Sequence, residues 1–301
     1  MKFGIALPAY GENATSAAVD ELLAGAEELG FDSVWFSDHI AVPDYAVAVN
    51  LRPPFLEPLA TCAWGLARTS RLRFGTDVLV APYRHALQVA ATVGTIGRLA
   101  GDRLILGVGV GYLRGEFEAL GVGPYEDRGR LTDEFVSTLR APGEGLHVVQ
   151  PPSPVPVWVG GNGAAARRRA ALLGDGWHPL WMPDARYAAA RREILDLRAS
   201  AGLEHRFTFS YSCARTRVLD HDPGDWPAPP GRPPQGSEFR YAPPPWVDED
   251  HRPRLVGTPD QFVGDLRLLE AAGVEQVTLR FGDAAVEQLD RFAREVATAF
   301  T

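Results

Sequence analysis

The sequence predicts an α/β protein, a TIM (β/α)8 barrel built as one domain over residues 1–301. Short apolar segments alternate with longer amphipathic ones, and eight of each can be counted. This alternation is typical of parallel strands joined by crossover helices. A chain of 301 residues, 46% of them hydrophobic, can bury the core of one such barrel. The competing fold is an open doubly wound sheet, which usually has fewer strands.

The eight predicted strands are short and mostly apolar, as expected for strands covered on both faces. They are KFGIAL (2–7), SVWF (33–36), RLRFGTDVLV (71–80), RLILGVGVG (103–111), VPVWVGG (155–161), GWHPLW (176–181), FTFSYSCART (207–216) and VEQVTLRF (274–281).

The eight predicted helices lie between and after these strands. They cover 16–29, 56–68, 86–99, 128–140, 164–174, 184–201, 259–273 and 284–300. The first has Ser16 as its expected N-cap and Gly30 as its stop. The chain from Tyr112 to Asp127 is predicted to be a long loop. The helices at 56–68 and 86–99 either form a homodimer interface or pack on the barrel as ordinary helices.

Residues 219–256 interrupt the alternation with ten of the 25 prolines. An irregular segment of this length within a compact domain is usually functional or disordered. It follows the seventh strand, on the face where barrel active sites lie. Its four aromatic residues favour packing on a surface, so we predict a lid over the pocket, with a disordered loop as the alternative. Those residues are Trp226, Phe239, Tyr241 and Trp246.

Composition restricts the partners and the compartment. The net charge is −8, without a long run of one sign, which argues against a nucleic-acid groove. The two cysteines, Cys62 and Cys213, lie in apolar surroundings and are expected to be buried free thiols. The start of the chain lacks a signal-peptide pattern, and the sequence has no apolar run that would span a bilayer. We therefore expect a cytoplasmic protein that binds neither membrane nor nucleic acid.

The second predicted strand ends in Asp38 and His39, where polar side chains would face the mouth of a barrel. Histidine is the side chain best suited to proton transfer near neutral pH. A neighbouring carboxylate can fix its tautomer or raise its pKa. The structural alternative is that Asp38 caps the loop and His39 packs beneath it.

Two other strand ends are rich in glycine. The fourth carries Gly109-Val110-Gly111, and the fifth carries Gly160-Gly161-Asn162-Gly163 directly before a helix. Backbone N–H groups at a helix N-terminus favour phosphate, although tight turns need glycine for their own sake. Two such turns on one barrel face suggest a phosphorylated cofactor. In the third strand, Asp77 is unusual among apolar residues, and a bulge or strained peptide there would bring backbone into the mouth.

These motifs together resemble the luciferase-like monooxygenase family of flavin and deazaflavin TIM barrels. The resemblance covers nearly the whole chain, and the Ser37-Asp38-His39 ending is most similar to the branch that uses coenzyme F420. The matching segments are FGIALP, AEELGFDSVWFSDHIAVP, GTDVLVAPYRH, RLILGVGVGYLRGEFEALG, EDRGRLTDEF, VWVGGNGAAARRRAALLGDGW and VGTPDQFVGDLRLLEAAGVEQVTLRF.

The resemblance implies roles for individual residues. His39 would be the proton donor or acceptor, and Asp38 its neighbour at the polar edge of the ring. A non-proline cis peptide at Asp77–Val78 would support the back of the ring. The ribityl chain and phosphate would be held by Gly109, Val110, Gly111, Gly160, Gly161, Asn162 and Gly163, with Trp177 lining the same side.

The sequence departs from the family pattern at several places, including Ala100-Gly101-Asp102-Arg103, where many relatives have a Ser-Gly-Gly-Arg turn. Tyr112 occupies a position that is acidic in some sugar-phosphate dehydrogenase relatives, which argues against that substrate class. The segment 141–154 is short, which would open one wall of the pocket, and the insertion at 219–256 is long. These departures suggest an unusual, bulky organic substrate.

Four functions are compatible with these observations. The leading one is an F420-dependent oxidoreductase, in which the cofactor carries the hydride and His39 moves the proton. The second is a monooxygenase that uses reduced FMN and O2. The third is a non-catalytic flavin-binding barrel. A metal-dependent hydrolase is least favoured, because Asp38, His39 and His178 show no ligand spacing, and no metal site is predicted.

Overall fold

The computed structural model describes residues 1–47, 51–213, 215–222, 255–282 and 285–300. Within them, eight parallel strands surround a common axis, and each is followed along the chain by at least one helix. The strands are β1 (Lys2–Ala6), β2 (Ser33–Phe36), β3 (Arg73–Thr76) with its continuation β4 (Leu79–Val80), β5 (Leu104–Gly109), β6 (Val157–Gly160), β7 (Gly176–His178), β8 (Thr208–Ser212), β9 (Arg217–Val218), β10 (Val256–Gly257) and β11 (Gln276–Leu279). All except β9 and β10 belong to the barrel.

The sheet closes on itself. Its neighbours run β3-β2-β1-β11-β8-β7-β6-β5, and β5 then pairs with β3. In the register, Phe74 lies beside Val34 on one side and Leu104 on the other. Closure leaves the barrel without an edge strand. The predicted TIM barrel is therefore confirmed, and the open sheet is excluded.

The helices form the outer layer. They are α1 (Ser16–Glu28), α2 (Asp44–Val47), α3 (Pro58–Leu66), α4 (Ala86–Ala100), α5 (Arg114–Leu120), α6 (Arg128–Arg140), α7 (Ala164–Leu173), α8 (Asp184–Ser200), α9 (Pro259–Ala271) and α10 (Ala285–Glu295). Two predictions are corrected. The chain between Tyr112 and Asp127 contains α5 rather than only a loop. The cap of α1 is Thr15, whose hydroxyl accepts a hydrogen bond from the Ala18 N–H, because Ser16 is already helical.

The third predicted strand, 71–80, is divided in two. β3 ends at Thr76, and the peptide bond between Asp77 and Val78 is cis. The chain then continues as the two residues of β4 beside β5. The cis peptide is the one that the family resemblance implied for this position.

Side chains alternate between the barrel interior and the helical layer, as strand geometry requires. In β2, Val34 and Phe36 belong to the large apolar core under the helices. Trp35 points inward and packs on Trp158 of β6, with ring centroids 5.3 Å apart. These two indoles fill the middle of the barrel, and the polar groups of the site lie on the C-terminal side of them.

The N-terminal end of the barrel carries a separate ionic cluster. The Lys2 amine lies 3.0 Å from the Asp32 carboxylate, and Arg73 pairs with the same carboxylate. Arg73 also donates to the Gln276 side-chain oxygen at 2.9 Å. A cavity of about 330 Å³ opens beside these residues. This end supports the fold and lies opposite the face where barrel active sites form.

The proline-rich insertion leaves the barrel after β8. Its ends are joined by the pairing of β9 with β10, and the Thr216 N–H donates to the Arg280 carbonyl at 2.8 Å. The ends of the insertion are therefore attached beside the C-terminal end of β11. Residues 223–254, with the four aromatic side chains of the predicted lid, lie outside the described residues.

Three further expectations concern burial and membranes. Cys62 and Cys213 are buried and unpaired, and burial raises the pKa of both thiols. Helices α3 and α4 pack on the barrel wall through residues such as Leu59 and Val93. Among the described residues, no helix combines the length and apolar character needed to cross a membrane.

Candidate active site

The loops that follow β2 and β5 meet at the C-terminal end of the barrel. His39 stands three residues after β2, and Tyr112 three residues after β5. The Tyr112 hydroxyl lies 3.3 Å from His39 Nε2. On another side, the His39 ring contacts Phe55, with ring centroids 4.8 Å apart. His39 is thus held between two aromatic side chains, with Nε2 directed toward the Tyr112 hydroxyl.

The partner of His39 is a residue that the sequence analysis did not single out. His39 Nδ1 lies 2.9 Å from Glu116 Oε2. Glu116 is in the first turn of α5 and is completely buried. Its other oxygen, Oε1, accepts the backbone N–H groups of Ile40 at 2.8 Å and Ala41 at 3.1 Å. One carboxylate therefore fixes both the His39 ring and the backbone that follows it.

Glu116 is ionised in this environment. Burial raises the pKa of Glu116. The hydrogen bond and charge of His39 and the two backbone N–H groups lower that pKa by more, so it lies below the ordinary value. Tyr83 also donates to Glu116 Oε2, at 3.1 Å. Burial and then the charge of Glu116 raise the pKa of Tyr83, so its hydroxyl keeps its proton and remains a donor.

Asp38 does not orient His39, and this expectation is corrected. Adjacent residues of an extended chain point in opposite directions, so Asp38 faces β4 while His39 faces the mouth. Its carboxylate accepts the Val80 N–H at 2.7 Å and two bonds from the Arg84 guanidinium at 2.6 and 2.8 Å. Arg84 also reaches Glu57, the N-cap of α3, at 2.8 Å. Asp38 therefore joins β2, β4 and α3, which is a structural role.

A buried polar cluster forms the floor of the mouth. Asp77 accepts from the Arg280 guanidinium at 2.7 Å and from the Ser212 hydroxyl at 2.9 Å, and it lies 3.2 Å from His178 Nε2. The His178 ring is stacked on Trp35, with centroids 4.6 Å apart. Burial raises the pKa of Asp77, but His178 and Arg280 outweigh burial and hold that pKa below its ordinary value.

The first glycine-rich turn lies directly against this segment. A Cβ atom at Gly109 would stand 2.5 Å from Val78 Cγ2, and one at Gly160 would stand 3.0 Å from Val78 Cγ1. Val110 follows β5, and Gly111 has φ +76°, which glycine adopts without strain. The structure therefore brings Asp77–Val78, the Gly109–Gly111 turn and Gly160 together. Packing against Val78 accounts for the glycines at 109 and 160.

The second turn has the properties of an anion site. Gly163 precedes α7 and no side chain caps this helix, so its first N–H groups are open to a ligand. A Cβ atom at Gly163 would meet nothing within 4 Å. The buried Asn162 Oδ1 atom has no hydrogen-bond partner within the described structure, whereas its amide nitrogen donates to the Leu180 carbonyl. Open N–H groups beside an unused acceptor fit a phosphorylated, hydroxyl-bearing cofactor.

Trp177 lies on the other side of this turn, which corrects its expected place on the pocket wall. Its ring stacks on Tyr187 of α8 at 5.0 Å, in the core between barrel and helices. Its indole N–H donates to the Gly161 carbonyl at 3.0 Å. Trp177 thus supports the turn from behind. The next residue, His178, is the one that faces the barrel interior, because side chains alternate along β7.

Metal chemistry has no candidate ligand set in the parts of the chain that the structure describes. No group of three or more His, Cys, Asp or Glu side chains has a suitable arrangement there. Asp38, His39 and His178 have separate partners, namely Arg84, Glu116 and Asp77.

The chain belongs to the luciferase-like monooxygenase family, whose model matches residues 1–224. A relative named F420-dependent glucose-6-phosphate dehydrogenase, from Kineococcus radiotolerans, is 35% identical over 170 residues, which are 50% of this chain and 49% of that protein. The chain covers 62% of the length of another curated relative, from Mycobacterium tuberculosis, at 34% identity over 182 residues, or 52% of this chain.

Solved structures share the fold. An F420-dependent secondary alcohol dehydrogenase in complex with an F420-acetone adduct aligns over 98% of both chains, with a TM-score of 0.76 and 18% identity. The oxygenating constituent of 3,6-diketocamphane monooxygenase from Pseudomonas putida, in complex with FMN, aligns over 99% of this chain and 98% of its own, with a TM-score of 0.73 and 16% identity. At such identities these structures establish the barrel and its topology.

Proposed function

We propose that this chain is an F420-dependent oxidoreductase that moves a hydride to or from an organic substrate, with His39 moving the accompanying proton. The observation that carries the proposal is the placement of His39 Nε2 beside the hydroxyl of Tyr112, the residue that directly follows the Gly109-Val110-Gly111 turn at the end of β5. An imidazole at this point can exchange a proton near neutral pH. The name of the Kineococcus radiotolerans relative supports F420 over other cofactors.

Each part of the site has a task in this proposal. The uncapped N-terminus of α7 at Gly163 would hold the phosphate, and Asn162 Oδ1 would accept a hydrogen bond from a cofactor hydroxyl. When bound, the deazaflavin exchanges a hydride with a substrate carbon. His39 Nε2 takes the proton from the substrate oxygen when that carbon is oxidised, and returns it when the carbonyl is reduced.

The surroundings of His39 support an uncharged substrate over a sugar phosphate. Phe55 and Tyr112 present rings beside His39, and Tyr112 is 45% exposed. The guanidinium groups of Arg84 and Arg280 are engaged by Asp38 and Asp77. The only lysine of the sequence, Lys2, lies at the opposite end of the barrel. Isopropanol and glucose 6-phosphate, each assayed with F420, test this point. Turnover of glucose 6-phosphate alone would contradict it.

The second candidate is a monooxygenase that uses reduced FMN and O2. The fold is shared with the FMN complex from Pseudomonas putida, and the uncapped helix α7 would accept the phosphate of either cofactor. A fluorescence titration with F420 and FMN separates the two, because the matching cofactor binds more tightly and is quenched. Tight FMN binding with substrate-dependent O2 consumption would establish the alternative.

A variant series tests the role of His39. Replacing His39 with alanine is expected to leave cofactor binding intact and to lower turnover by about 10²- to 10⁴-fold, the usual contribution of general acid–base catalysis. His147→Gln is the matched control, because His147 is exposed on the segment before β6. Cofactor binding without turnover in the wild type, and no effect of His39→Ala, would instead identify a non-catalytic flavin-binding barrel.

A further inference from the structure

The hydrogen bonds around Glu116 determine which nitrogen of His39 carries a proton. Glu116 Oε1 accepts hydrogen bonds from the N–H groups of Ile40 and Ala41. Its other oxygen, Oε2, accepts a hydrogen bond from the Tyr83 hydroxyl and faces Nδ1 of His39. A carboxylate has about four acceptor positions, and these four partners occupy them. Three donors, the Ile40 and Ala41 N–H groups and the Tyr83 hydroxyl, already point at its oxygens, which is the arrangement of a carboxylate without a proton of its own. The pKa of Glu116 agrees in direction: burial raises it, but His39 and the two backbone N–H groups outweigh burial and hold it below the ordinary value. The His39 atom that faces this carboxylate must therefore be an N–H donor.

We propose that Glu116 is a positioning residue that holds neutral His39 as the Nδ1–H tautomer, with the lone pair of Nε2 directed into the mouth. This inference deepens the proposed function, since it names the group that prepares His39 for proton transfer. Nδ1 lies 2.9 Å from Glu116 Oε2, while Nε2 lies 3.3 Å from the Tyr112 hydroxyl. The tautomer of a histidine is set by the hydrogen bond at its other nitrogen.

Replacement of Glu116 with glutamine has one expected outcome, because the local backbone N–H groups fix which end of the side-chain amide takes each oxygen position. The Ile40 and Ala41 N–H groups both point at the Oε1 position, so the amide oxygen of the glutamine must occupy it. The NH2 group then occupies the Oε2 position and faces Nδ1 of His39. An NH2 group can only donate, so Nδ1 must become the acceptor. We therefore expect E116Q to convert His39 to the opposite tautomer, with the proton on Nε2.

The test is 15N NMR of histidine-labelled protein without cofactor, at about pH 9, where ordinary histidines with a pKa of about 6.5 are neutral. The His39 signals are assigned by their loss in His39→Gln. We expect the wild type to show a protonated Nδ1 and an unprotonated Nε2, and E116Q to show the reverse. Tyr83→Phe is the matched control, because it removes another bond to Oε2 and leaves the His39 contact in place. It should keep the wild-type tautomer.

The outcomes separate this inference from the proposed function. A wild-type signal with the proton on Nε2 overturns the inference whatever the activity, and this measurement does not require any variant to fold. A folded E116Q variant that keeps the Nδ1–H tautomer also overturns it. If the tautomers are as expected but the protein turns over no substrate with either F420 or FMN, the inference stands and the proposed function is rejected. If both hold, E116Q should lose about 10²-fold or more in the direction that requires His39 to accept a proton.

Discussion

Val78 and Gly109 lie side by side where β4 pairs with β5, and a Cβ atom at Gly109 would stand 2.5 Å from Val78 Cγ2. We expect Gly109→Ala to lower the free energy of unfolding by about 1–3 kcal/mol, the usual cost of overpacking. Val78→Ala should relieve the clash, so the double variant should recover part of the loss. Urea unfolding of both single variants and the double variant measures the coupling.

A glycine without such a neighbour provides the control for that experiment. Gly25 is in the interior of α1, and a Cβ atom there would meet nothing within 4 Å. Gly25→Ala should raise stability by about 0.5–1 kcal/mol. Additive effects of Gly109→Ala and Val78→Ala would show that the contact does not constrain this position.

The ion pairs of Asp77 predict a pH-dependent stability. Asp77→Asn leaves the largely buried Arg280 guanidinium without its carboxylate partner, and we expect it to cost about 3–5 kcal/mol near pH 7. Burial raises the pKa of Asp77, but His178 and Arg280 outweigh it and hold the folded-state pKa below its ordinary value. The stabilisation is therefore complete above the ordinary aspartate pKa of about 4 and is lost as pH falls through the lower folded value.

Urea unfolding at about pH 7 and about pH 3 measures this loss. The difference between wild type and Asp77→Asn should shrink at the lower pH. Asp196→Asn on the exposed face of α8 is the control and should change stability by less than about 0.5 kcal/mol. A difference that is the same at both pH values would mean that the Asp77 charge does not stabilise the fold.

Asp38 and His39 are adjacent in sequence, but we expect their replacement to affect different properties, stability for Asp38 and turnover for His39. Asp38→Asn weakens the buried pair with Arg84, so we expect a loss of about 1–3 kcal/mol in stability. Burial raises the pKa of Asp38 and Arg84 keeps Glu57 as a partner, so the loss stays below that of an isolated buried charge. His39→Ala should change stability less and turnover more, since this residue faces the mouth. Thermal unfolding and cofactor-linked activity of both variants make the comparison. Equal effects in both assays would contradict the separation of roles.

The N-cap of α1 can be tested by comparing two adjacent residues, Thr15 and Ser16. The Thr15 hydroxyl accepts the Ala18 N–H at 3.3 Å, and Ser16 begins the helix. Thr15→Ala should therefore cost about 1 kcal/mol of stability, whereas Ser16→Ala should have little effect. Chemical unfolding resolves a difference of this size. The reverse order would restore Ser16 as the cap.

The barrel could be predicted from sequence because its signals are local. Each strand is a short apolar run, and each long helix has its own period, so alternation alone indicates parallel strands. The errors fall where a local pattern is weak. Helix α5 has only seven residues, and its run within LRGEFEALG is too short for a clear period. Glu116 could have been singled out as an acidic residue that closely follows the glycine-rich end of a strand, where the first turn of a helix was possible.

The pairing of His39 with Glu116 could not be read from sequence, because the two residues are 77 positions apart. Asp38 was the nearest carboxylate along the chain, but alternation along an extended segment turns it to the opposite side. The same alternation moves Trp177 behind the wall and brings His178 inside. Adjacent residues in a strand are therefore poor candidates for one site, and strand ends that are neighbours in the barrel are better ones.

The position of Lys2 has a practical consequence. Its side chain is 56% exposed, it is the only lysine of the sequence, and it lies at the end of the barrel remote from His39. Amine-reactive dyes or activated resins would thus attach to the side chains of this protein at one point. Every tethered molecule would present its open mouth outward, so a sensor surface could report cofactor capture from a uniformly oriented layer.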